Sequence, residues 1–214
     1  MQEVNDIAIV ADGEFPLSEY PRWILSSADR VVCCDGAVVK YLAFSGDKAP
    51  DAIVGDMDTL SEDLKIRYKD IIVKYDEQDY DDLAKAVRYA VGAYPEVQRV
   101  HIIASGGGAE DFTIGNYGLL MEFAAMYPGV RFDAVSDRTT AFPLTGSDSF
   151  DCGAGRTVSV FSPDPTLRIS SEGLEWPLDE VCFDNWWKGI RNRATADRVT
   201  LRFNHPAKVL IILN

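Results

Sequence analysis

The sequence predicts an α/β protein in two parts: a mostly parallel sheet with helices on both faces, followed by an antiparallel β domain. Two observations lead to this prediction. Through about residue 135, short and almost wholly apolar runs are separated by segments of helical periodicity, as in parallel strands that are buried on both faces. Beyond residue 137, Thr, Pro, Gly and Ser become frequent, and apolar residues alternate with polar ones. We therefore expect one domain over residues 1–136 and a second over residues 137–214.

Six strands alternate with five helices in the first expected domain. The strands are IAIVA (7–11), RVVCCD (30–35), DAIVG (51–55), IIVKY (71–75), RVHIIAS (99–105) and RFDAVS (131–136). The helices lie near residues 17–28, 36–45, 59–69, 79–93 and 112–127. At the third helix, Thr59 and Glu62 have the spacing of a capping box, in which each side chain bonds the backbone N–H of the other residue.

The second expected domain has weaker signals. Val199, Leu201 and Phe203 alternate with polar residues, which is typical of a half-buried antiparallel strand. The segment KVLIIL (208–213) is almost wholly apolar and is expected to be another strand.

Polar residues collect where the predicted parallel strands end. These residues are Asp12-Gly13, Asp35-Gly36, Gly55-Asp56-x-Asp58, the acids within 76–82, and Ser105-Gly106-Gly107-Gly108. Parallel α/β sheets bind their ligands beyond the carboxyl ends of their strands. The chemistry of the first domain is therefore expected at one edge of its sheet.

Asp56 and Asp58 form the first acidic motif, directly after an apolar run that ends at Gly55. If the chain stays extended there, residues two apart point to the same side. Two carboxylates about 4 Å apart repel each other by about 4 kcal/mol at an effective dielectric constant of about 20. Acids gathered in this way are expected around a cation, and the alternative is a solvated acidic loop.

Asp79, Asp81 and Asp82 form the second acidic motif, at the start of a predicted helix. Acids in a first helical turn can simply cap free N–H groups and complement the helix dipole. Capping explains three acids in four residues less well, because they repel one another. Hard oxygen ligands at two strand-to-helix junctions suit Mg²⁺, which binds through one or two carboxylates together with substrate phosphates.

Two further motifs have weaker signals. The glycines of SGGGAEDFTIGN (105–116) would let the backbone approach a phosphate at a helix start, although the pattern is neither a Rossmann nor a P-loop motif and could be a flexible turn. Trp176, Trp186 and Trp187 belong either to the core of the β domain or to a platform for a flat cationic ring.

Composition restricts the class of partner. The formal net charge of −13 argues against nucleic-acid binding through the phosphate backbone. The four cysteines include no CxxC pair, and the two histidines are not spaced for a zinc site. Since neither a signal peptide nor an apolar run of 18 residues is present, we expect a cytoplasmic protein that does not enter a membrane.

Taken in order, six segments resemble the motifs of the thiamine pyrophosphokinase family. They are CDGAVV (34–39), PDAIVGDMDT (50–59), QDYDDLAKAV (78–87), GGAEDFTIGN (107–116), GLEWPL (173–178) and IRNRA (190–194). The second and third segments are the most specific. The resemblance covers nearly the whole chain.

The resemblance implies a catalytic α/β domain followed by a β-sandwich domain, in a homodimer whose sites are shared between subunits. It implies transfer of the diphosphoryl group of ATP to the hydroxyl of thiamine, with Mg²⁺ as cofactor. Asp56, Asp58 and Asp82 would hold the metal and act in catalysis. The nucleotide would contact Asp35, Gly36, Asp79, Gly107, Gly108, Asp111 and Asn116, with Asp35, Asp79 and Asp111 alternatively supporting the metal cluster. Thiamine would contact Gln78, Trp176 and Asn192.

The chain departs from the family motifs at several positions, and the second half of the family's ADGGAN motif is absent. Ala109 and Phe112 stand where the motif has arginine and histidine, Asp81 where it has threonine, and Arg191 where it has serine. Loss of an arginine near phosphates weakens their binding unless another cation substitutes, and Arg191 or Arg193 could do so.

Two other functions remain open from the sequence. The same aspartates could serve another Mg²⁺-dependent phosphotransferase or a phosphohydrolase, with an aspartate as nucleophile. The departures could instead mark a thiamine- or nucleotide-binding homologue without turnover.

Overall fold

The computed structural model describes residues 5–77 and 79–214, which form two compact units. The first unit takes in the described residues up to Leu119 together with Gly129–Asp137. The second takes in Leu120–Pro128 and Arg138–Asn214.

Six parallel strands form the sheet of the first unit. They are β1 (Asp6–Val10), β2 (Arg30–Cys34), β3 (Ala52–Gly55), β4 (Ile72–Lys74), β5 (Arg99–Ile103) and β6 (Arg131–Val135). Their order across the sheet is β6-β5-β1-β2-β3-β4. The chain therefore adds strands on one side of β1 and then returns to add β5 on the other. Such a reversal is where open α/β sheets form a crevice at the carboxyl ends of their strands.

The helices that follow these strands are also close to the expected positions. They are α1 (Glu19–Ser27), α2 (Ala37–Ser45), α3 (Glu62–Arg67), α4 (Asp82–Ala93) and α5 (Glu110–Met126). Helices α2 and α4 both pack against β1 and β2. Ile7, Ile9 and Ile53 in the strands are fully buried, as the apolar runs predicted for a covered parallel sheet.

The start of α3 differs from the prediction. The capping residue is Ser61, whose Oγ accepts a hydrogen bond from Leu64 N–H at 3.4 Å. The backbone N–H of Thr59 instead donates to Asp35 Oδ2 at 3.2 Å. The predicted capping box at Thr59 and Glu62 is therefore wrong, because Thr59 serves a carboxylate from another strand end.

The second unit contains two groups of antiparallel strands. Its strands are β7 (Thr140–Leu144), β8 (Asp148–Asp151), β9 (Thr157–Phe161), β10 (Ile169–Glu172), β11 (Asn192–Arg193), β12 (Arg198–Phe203) and β13 (Val209–Leu213). One group has the order β11-β9-β13-β7, and the other has the order β10-β12-β8. Val160 and Ile211 from the first group share a buried cluster with Ile169 and Leu201 from the second. This packing is that of a β-sandwich, and the predicted fold class is confirmed.

No helix within the described residues is both long enough and apolar enough to span a membrane.

Candidate active site

A cavity of about 460 Å³ opens at the carboxyl ends of β1, β2 and β3. Its walls also include the segment before α4 and the first turn of α5. The acids that line it are Asp12, Asp35, Asp56, Asp79, Asp81 and Asp82. Among the described lining residues, Lys85 is the one cationic side chain. This cavity, called the acidic cavity below, lies at the predicted sheet edge.

Three of the acids at this edge form a compact group. Ligand oxygens of Asp35, Asp56 and Asp58 all lie within 4.8 Å of one another. Asp35 is 3 % exposed, and its Oδ1 is buried without a hydrogen-bond partner among the described residues. A buried carboxylate oxygen without a donor is costly. The donor set fits a hard divalent cation such as Mg²⁺, which prefers oxygen ligands.

Met57 explains how Asp56 and Asp58 come together. It has a φ of 68°, in the left-handed region that bulky residues rarely adopt, and it is 5 % exposed. The turn also lets Asp58 N–H donate to Asp56 Oδ1 at 3.2 Å. The chain is therefore not extended beyond Gly55, and the expected strand alternation is not the reason for the pairing. A buried Met57 in a tight turn holds the two acids together instead.

The carboxyl groups of Asp58 and Asp82 both have raised pKa values, for different reasons. The negative charge of Asp56 is the main cause of the raised pKa of Asp58. Burial is the main cause for Asp82; its hydrogen bond to Lys85 lowers the pKa, and the charges of Asp56 and Asp58 raise it. The shift of Asp58 shows that negative charge is unfavourably concentrated here, whereas that of Asp82 mainly reflects its partly buried position.

Asp82 lies beside the three-acid group, next to Asp35. A Cβ on Gly55 would come 2.9 Å from Asp35 Cβ and 3.2 Å from Asp82 Cγ, so glycine is what leaves room for both side chains. Lys85 Nζ lies 3.1 Å from Asp82 Oδ1, and Lys85 is 2 % exposed. The predicted metal role of Asp82 stays a prediction. Asp35, predicted to contact the nucleotide or to support the metal cluster, is in the three-acid group.

Sequence reasoning did not single out Lys85. It follows Asp82 by three residues and lies among the apolar positions of α4. A charged residue within an apolar helical face is the signal that could have identified it.

Asp81 has a structural role at the start of α4. Its Oδ1 accepts a hydrogen bond from Ala84 N–H at 2.8 Å, and the helix begins at Asp82. Aspartate and threonine both cap helices well, so the departure at Asp81 preserves the cap. Asp79 lines the acidic cavity, and its contact with the nucleotide stays a prediction. Gln78, predicted to contact thiamine, lies outside the described residues.

A second cavity of about 620 Å³ lies beside the glycine loop that follows β5. Gly107 and Gly108 line it and have φ values of 79° and 75°, which favour glycine. Asn116 is 2 % exposed, and its Nδ2 donates to Ser105 O at 2.8 Å, so it ties the loop to α5. Asp111 Oδ1 accepts from the N–H of the following residue at 2.9 Å. The nucleotide contacts predicted for Asp111 and Asn116 stay predictions, since neither lines these two cavities.

The second unit contains a smaller pocket, of about 190 Å³, beside Trp176. Trp176 is 55 % exposed, so its ring does not belong to the core of the β-sandwich. Asn192 is buried and holds the backbone of Trp176: its Oδ1 accepts from Trp176 N–H at 3.1 Å, and its Nδ2 donates to Trp176 O at 2.6 Å. The sequence paired these two residues as thiamine contacts, and the structure brings them together.

Arg191 and Arg193 are the two arginines that could substitute for the missing family arginine. They lie at strand β11, which contributes Asn192 to this pocket. Arg191 has a φ of 57°, and its N–H donates to Ser159 Oγ at 3.0 Å. The guanidinium of Arg193 lies 3.6 Å from Glu175 Oε2. Arg193 thus has a carboxylate partner in its own unit, and a phosphate contact by either arginine stays a prediction.

Comparison with known proteins agrees with these features. A family model described as "Thiamin pyrophosphokinase, catalytic domain" matches residues 22–130, and one described as "Thiamin pyrophosphokinase, substrate-binding domain" matches residues 140–211. Thiamine pyrophosphokinase 1 of Oryza sativa subsp. japonica is 28% identical in an alignment of 146 residues that covers 62% of this chain and 54% of the relative. Thiamine pyrophosphokinase 3 of the same plant is 27% identical in an alignment of 146 residues that covers 62% of this chain and 53% of the relative. The match thus spans about half the length of these curated relatives.

Solved structures share the fold over nearly the whole chain. Thiamine pyrophosphokinase from Bacillus subtilis superposes with a TM-score of 0.78 at 19% identity, covering 98% of this chain and 99% of that one. Thiamin pyrophosphokinase from Candida albicans superposes with a TM-score of 0.79 at 16% identity, covering 98% and 88%. With the catalytic-domain model matching half of its residues and the substrate-binding model most of the remainder, the chain belongs to the thiamin pyrophosphokinase family.

Proposed function

We propose that this protein transfers the diphosphoryl group of ATP to the hydroxyl of thiamine. The hydroxyl oxygen attacks the β-phosphorus, the bond from that phosphorus to the α,β-bridging oxygen breaks, and the hydroxyl proton is lost. The products are thiamine diphosphate and AMP. The observation that carries this proposal is the group formed by Asp35, Asp56 and Asp58 at the ligand-binding edge of a parallel sheet, in a chain of this family.

The carboxylates are proposed to hold Mg²⁺. Asp56 and Asp58 would be ligands together with Asp35, and Asp82, which lies beside Asp35 near Gly55, would extend the group. When bound, the ion would neutralise and orient the phosphates. This assignment is supported by the unpartnered Oδ1 of Asp35 and by the mutual repulsion of Asp56 and Asp58.

Asp82 is the residue that we assign to orient the attacking hydroxyl. It lines the acidic cavity, whereas Asp58 is not among the described residues that do so. Lys85 fixes one oxygen of this carboxylate, which leaves the other to accept the hydroxyl proton. Lys85 is thus a positioning residue.

The remaining contacts extend the proposal. Asp35, Gly36, Asp79, Gly107, Gly108, Asp111 and Asn116 are proposed for the nucleotide. Gln78, Trp176 and Asn192 are proposed for thiamine, which is supported by the exposed ring of Trp176 beside a pocket. A homodimer with shared sites and a cytoplasmic location remain predictions from the sequence.

The experiment is to incubate the protein with ATP, MgCl₂ and thiamine and to measure the products. We expect AMP and thiamine diphosphate in equal amounts. Adenosine 5′-(α,β-methylene)triphosphate should be inert, because the bond that must break is replaced, while the β,γ-imido analogue should remain a donor. Phosphorylation of an aspartate would favour another phosphotransferase, and thiamine binding without AMP would favour a homologue without turnover.

A further inference from the structure

The second cavity lies at the point where the strand order of the first unit reverses. One wall follows β1 and contains Asp12, Gly13 and Glu14. Another wall follows β5, the neighbour of β1, and includes Gly107–Ala109. Ligands of open α/β sheets bind at such reversal points. We call this space the switch-point cavity.

The switch-point cavity and the acidic cavity adjoin each other. Asp12 and Phe112 line both of them. One elongated ligand can therefore reach from the three-acid group into the switch-point cavity.

Positive charge is scarce along this path. Among the described residues that line the two cavities, the cationic side chains are Lys40 and Lys85. Lys85 is buried and lies 3.1 Å from Asp82. The Lys40 side chain is 39% exposed, so it is the cation that a ligand can reach.

Lys40 is held in place by the loop after β1. Its Nζ donates to Asp12 Oδ1 at 2.7 Å, to Asp12 O at 2.8 Å and to Gly13 O at 3.0 Å. The ion pair with Asp12 is exposed, and exposed pairs contribute little to stability. An ammonium on a flexible stem can therefore exchange one of these bonds for a phosphate oxygen.

Lys40 also compensates an acid of its own cavity. Asp12 and Glu14 line the switch-point cavity with it, and the ammonium pairs with Asp12. Without the ammonium, the Asp12 carboxylate would repel an incoming phosphate.

We propose that Lys40 binds the polyphosphate of the nucleotide in the switch-point cavity. The inference rests on the proposed function in taking a nucleoside triphosphate as ligand, but it concerns binding and not turnover. Equilibrium binding therefore tests it separately from transfer.

The test is calorimetric titration with ATP, AMP and adenosine, each in the presence of MgCl₂, of the wild type and the Lys40→Ala variant. A lost charge-assisted hydrogen bond should weaken ATP binding about tenfold or more. AMP should be affected less, and adenosine should be unaffected. Lys40→Arg should retain ATP binding within about threefold, because it retains the charge. The control is Lys69→Ala, which removes an exposed lysine that lines neither cavity and should bind ATP as the wild type does.

A relocated charge distinguishes phosphate binding from support of the loop. Ala109 is exposed and lines the same cavity, so Ala109→Arg supplies a cation from another element without restoring the bonds to Asp12. The Lys40→Ala/Ala109→Arg variant should recover most of the lost ATP affinity, and Ala109→Arg should improve ATP binding much less when Lys40 is present than when it is absent. Unchanged ATP binding by Lys40→Ala, equal losses for ATP and adenosine, or failure of the double variant to recover would each overturn the inference. Normal ATP binding without product formation by the wild type would contradict the proposed function alone.

Discussion

The acidic cavity of the first unit and the Trp176 pocket of the second unit differ in the chemistry of the side chains that line them. The first is lined by aspartates from several strand ends, with Lys85 as the cation among its described lining residues. The second is lined mostly by apolar side chains, among them Trp176, Leu178 and Ile190, together with Lys188 and Asn192, and by no acid within the described residues. This difference indicates that each cavity suits one of the two proposed substrates, ATP with its metal or thiamine. Concentrated charge suits a metal and phosphates, and an exposed ring suits a flat substrate.

Neither feature is built for stability. The pKa of Asp58 is raised chiefly by the neighbouring Asp56 charge, so the cluster opposes folding when no cation is bound. Trp176 leaves more than half of its surface exposed, so its burial adds little. Substitutions at either place should therefore change function more than stability, and matched variants can test the two places separately.

The largest effect is expected from substitutions in the three-acid group of Asp35, Asp56 and Asp58. Asp56→Asn and Asp58→Asn should each lower the rate of thiamine diphosphate formation by at least about a hundredfold, because each removes a charge that holds the proposed metal. Asp63→Asn is the matched control, since Asp63 is an exposed acid in the first turn of α3 and does not line the cavities. Near-normal turnover in both cluster variants would contradict the Mg²⁺ assignment.

A smaller and selective effect is expected at Trp176. Trp176→Ala should raise the KM for thiamine by about 2- to 30-fold, the range that corresponds to a cation–π contact, and should leave the KM for ATP nearly unchanged. Trp23→Ala, which removes another exposed tryptophan, should change neither. If Trp176→Ala lowers the melting temperature strongly and both KM values rise together, the ring is structural.

Mixing inactive variants tests whether the two regions complete one site across a dimer. If Trp176→Ala proves severely impaired, a re-equilibrated mixture with Asp58→Asn should regain up to about a quarter of wild-type activity, because a heterodimer would contain one site without either lesion. Subunit exchange is verified by mass spectrometry of differently tagged chains. Exchange without recovery would assign both halves of the site to a single chain.

The pH dependence of stability should be the smallest effect. It should have opposite signs for the contributions of Asp58 and Asp29. The pKa of Asp58 is raised in the folded state, so its favourable contribution exists at low pH and is lost as the pH rises through the folded pKa. The pKa of Asp29 is lowered, mainly by hydrogen bonds from the N–H groups of Asn5 and Asp6, so its contribution is lost as the pH falls.

Urea unfolding without Mg²⁺ between about pH 2 and pH 7 measures these two contributions, because that of Asp29 changes mainly below about pH 4 and that of Asp58 above it. The stability of the wild type relative to Asp58→Asn should fall as the pH rises. Relative to Asp29→Asn, it should increase over the same range. The same slope for both variants would show that the two carboxylates do not differ in this way.

The strands and most helices could be predicted because their signals are local. Apolar runs bounded by glycine or acids specify buried parallel strands, and DAIVG (51–55) became β3 (Ala52–Gly55) almost unchanged. The two acidic motifs could be predicted for a related reason, since strand ends of a parallel sheet meet at one edge.

The details that failed depend on tertiary contacts. Thr59 does not cap α3, because its N–H bonds the carboxylate of Asp35 across the strand ends. Met57 has a left-handed backbone conformation, and the packing around this buried residue offsets the backbone strain. The contact of Lys40 with the loop after β1 joins residues 28 positions apart and has no signal in the sequence.

The central claim is that the three-acid group holds a divalent cation, and thermal unfolding in the presence and absence of MgCl₂ tests it most directly. Asp58→Asn should be at least as stable as the wild type without Mg²⁺, because one repulsion is removed. Mg²⁺ should raise the melting temperature of the wild type beyond the effect of NaCl at equal ionic strength, and it should raise that of Asp58→Asn much less. A wild type that does not respond to Mg²⁺, together with an Asp58→Asn variant that is clearly less stable, would contradict the account.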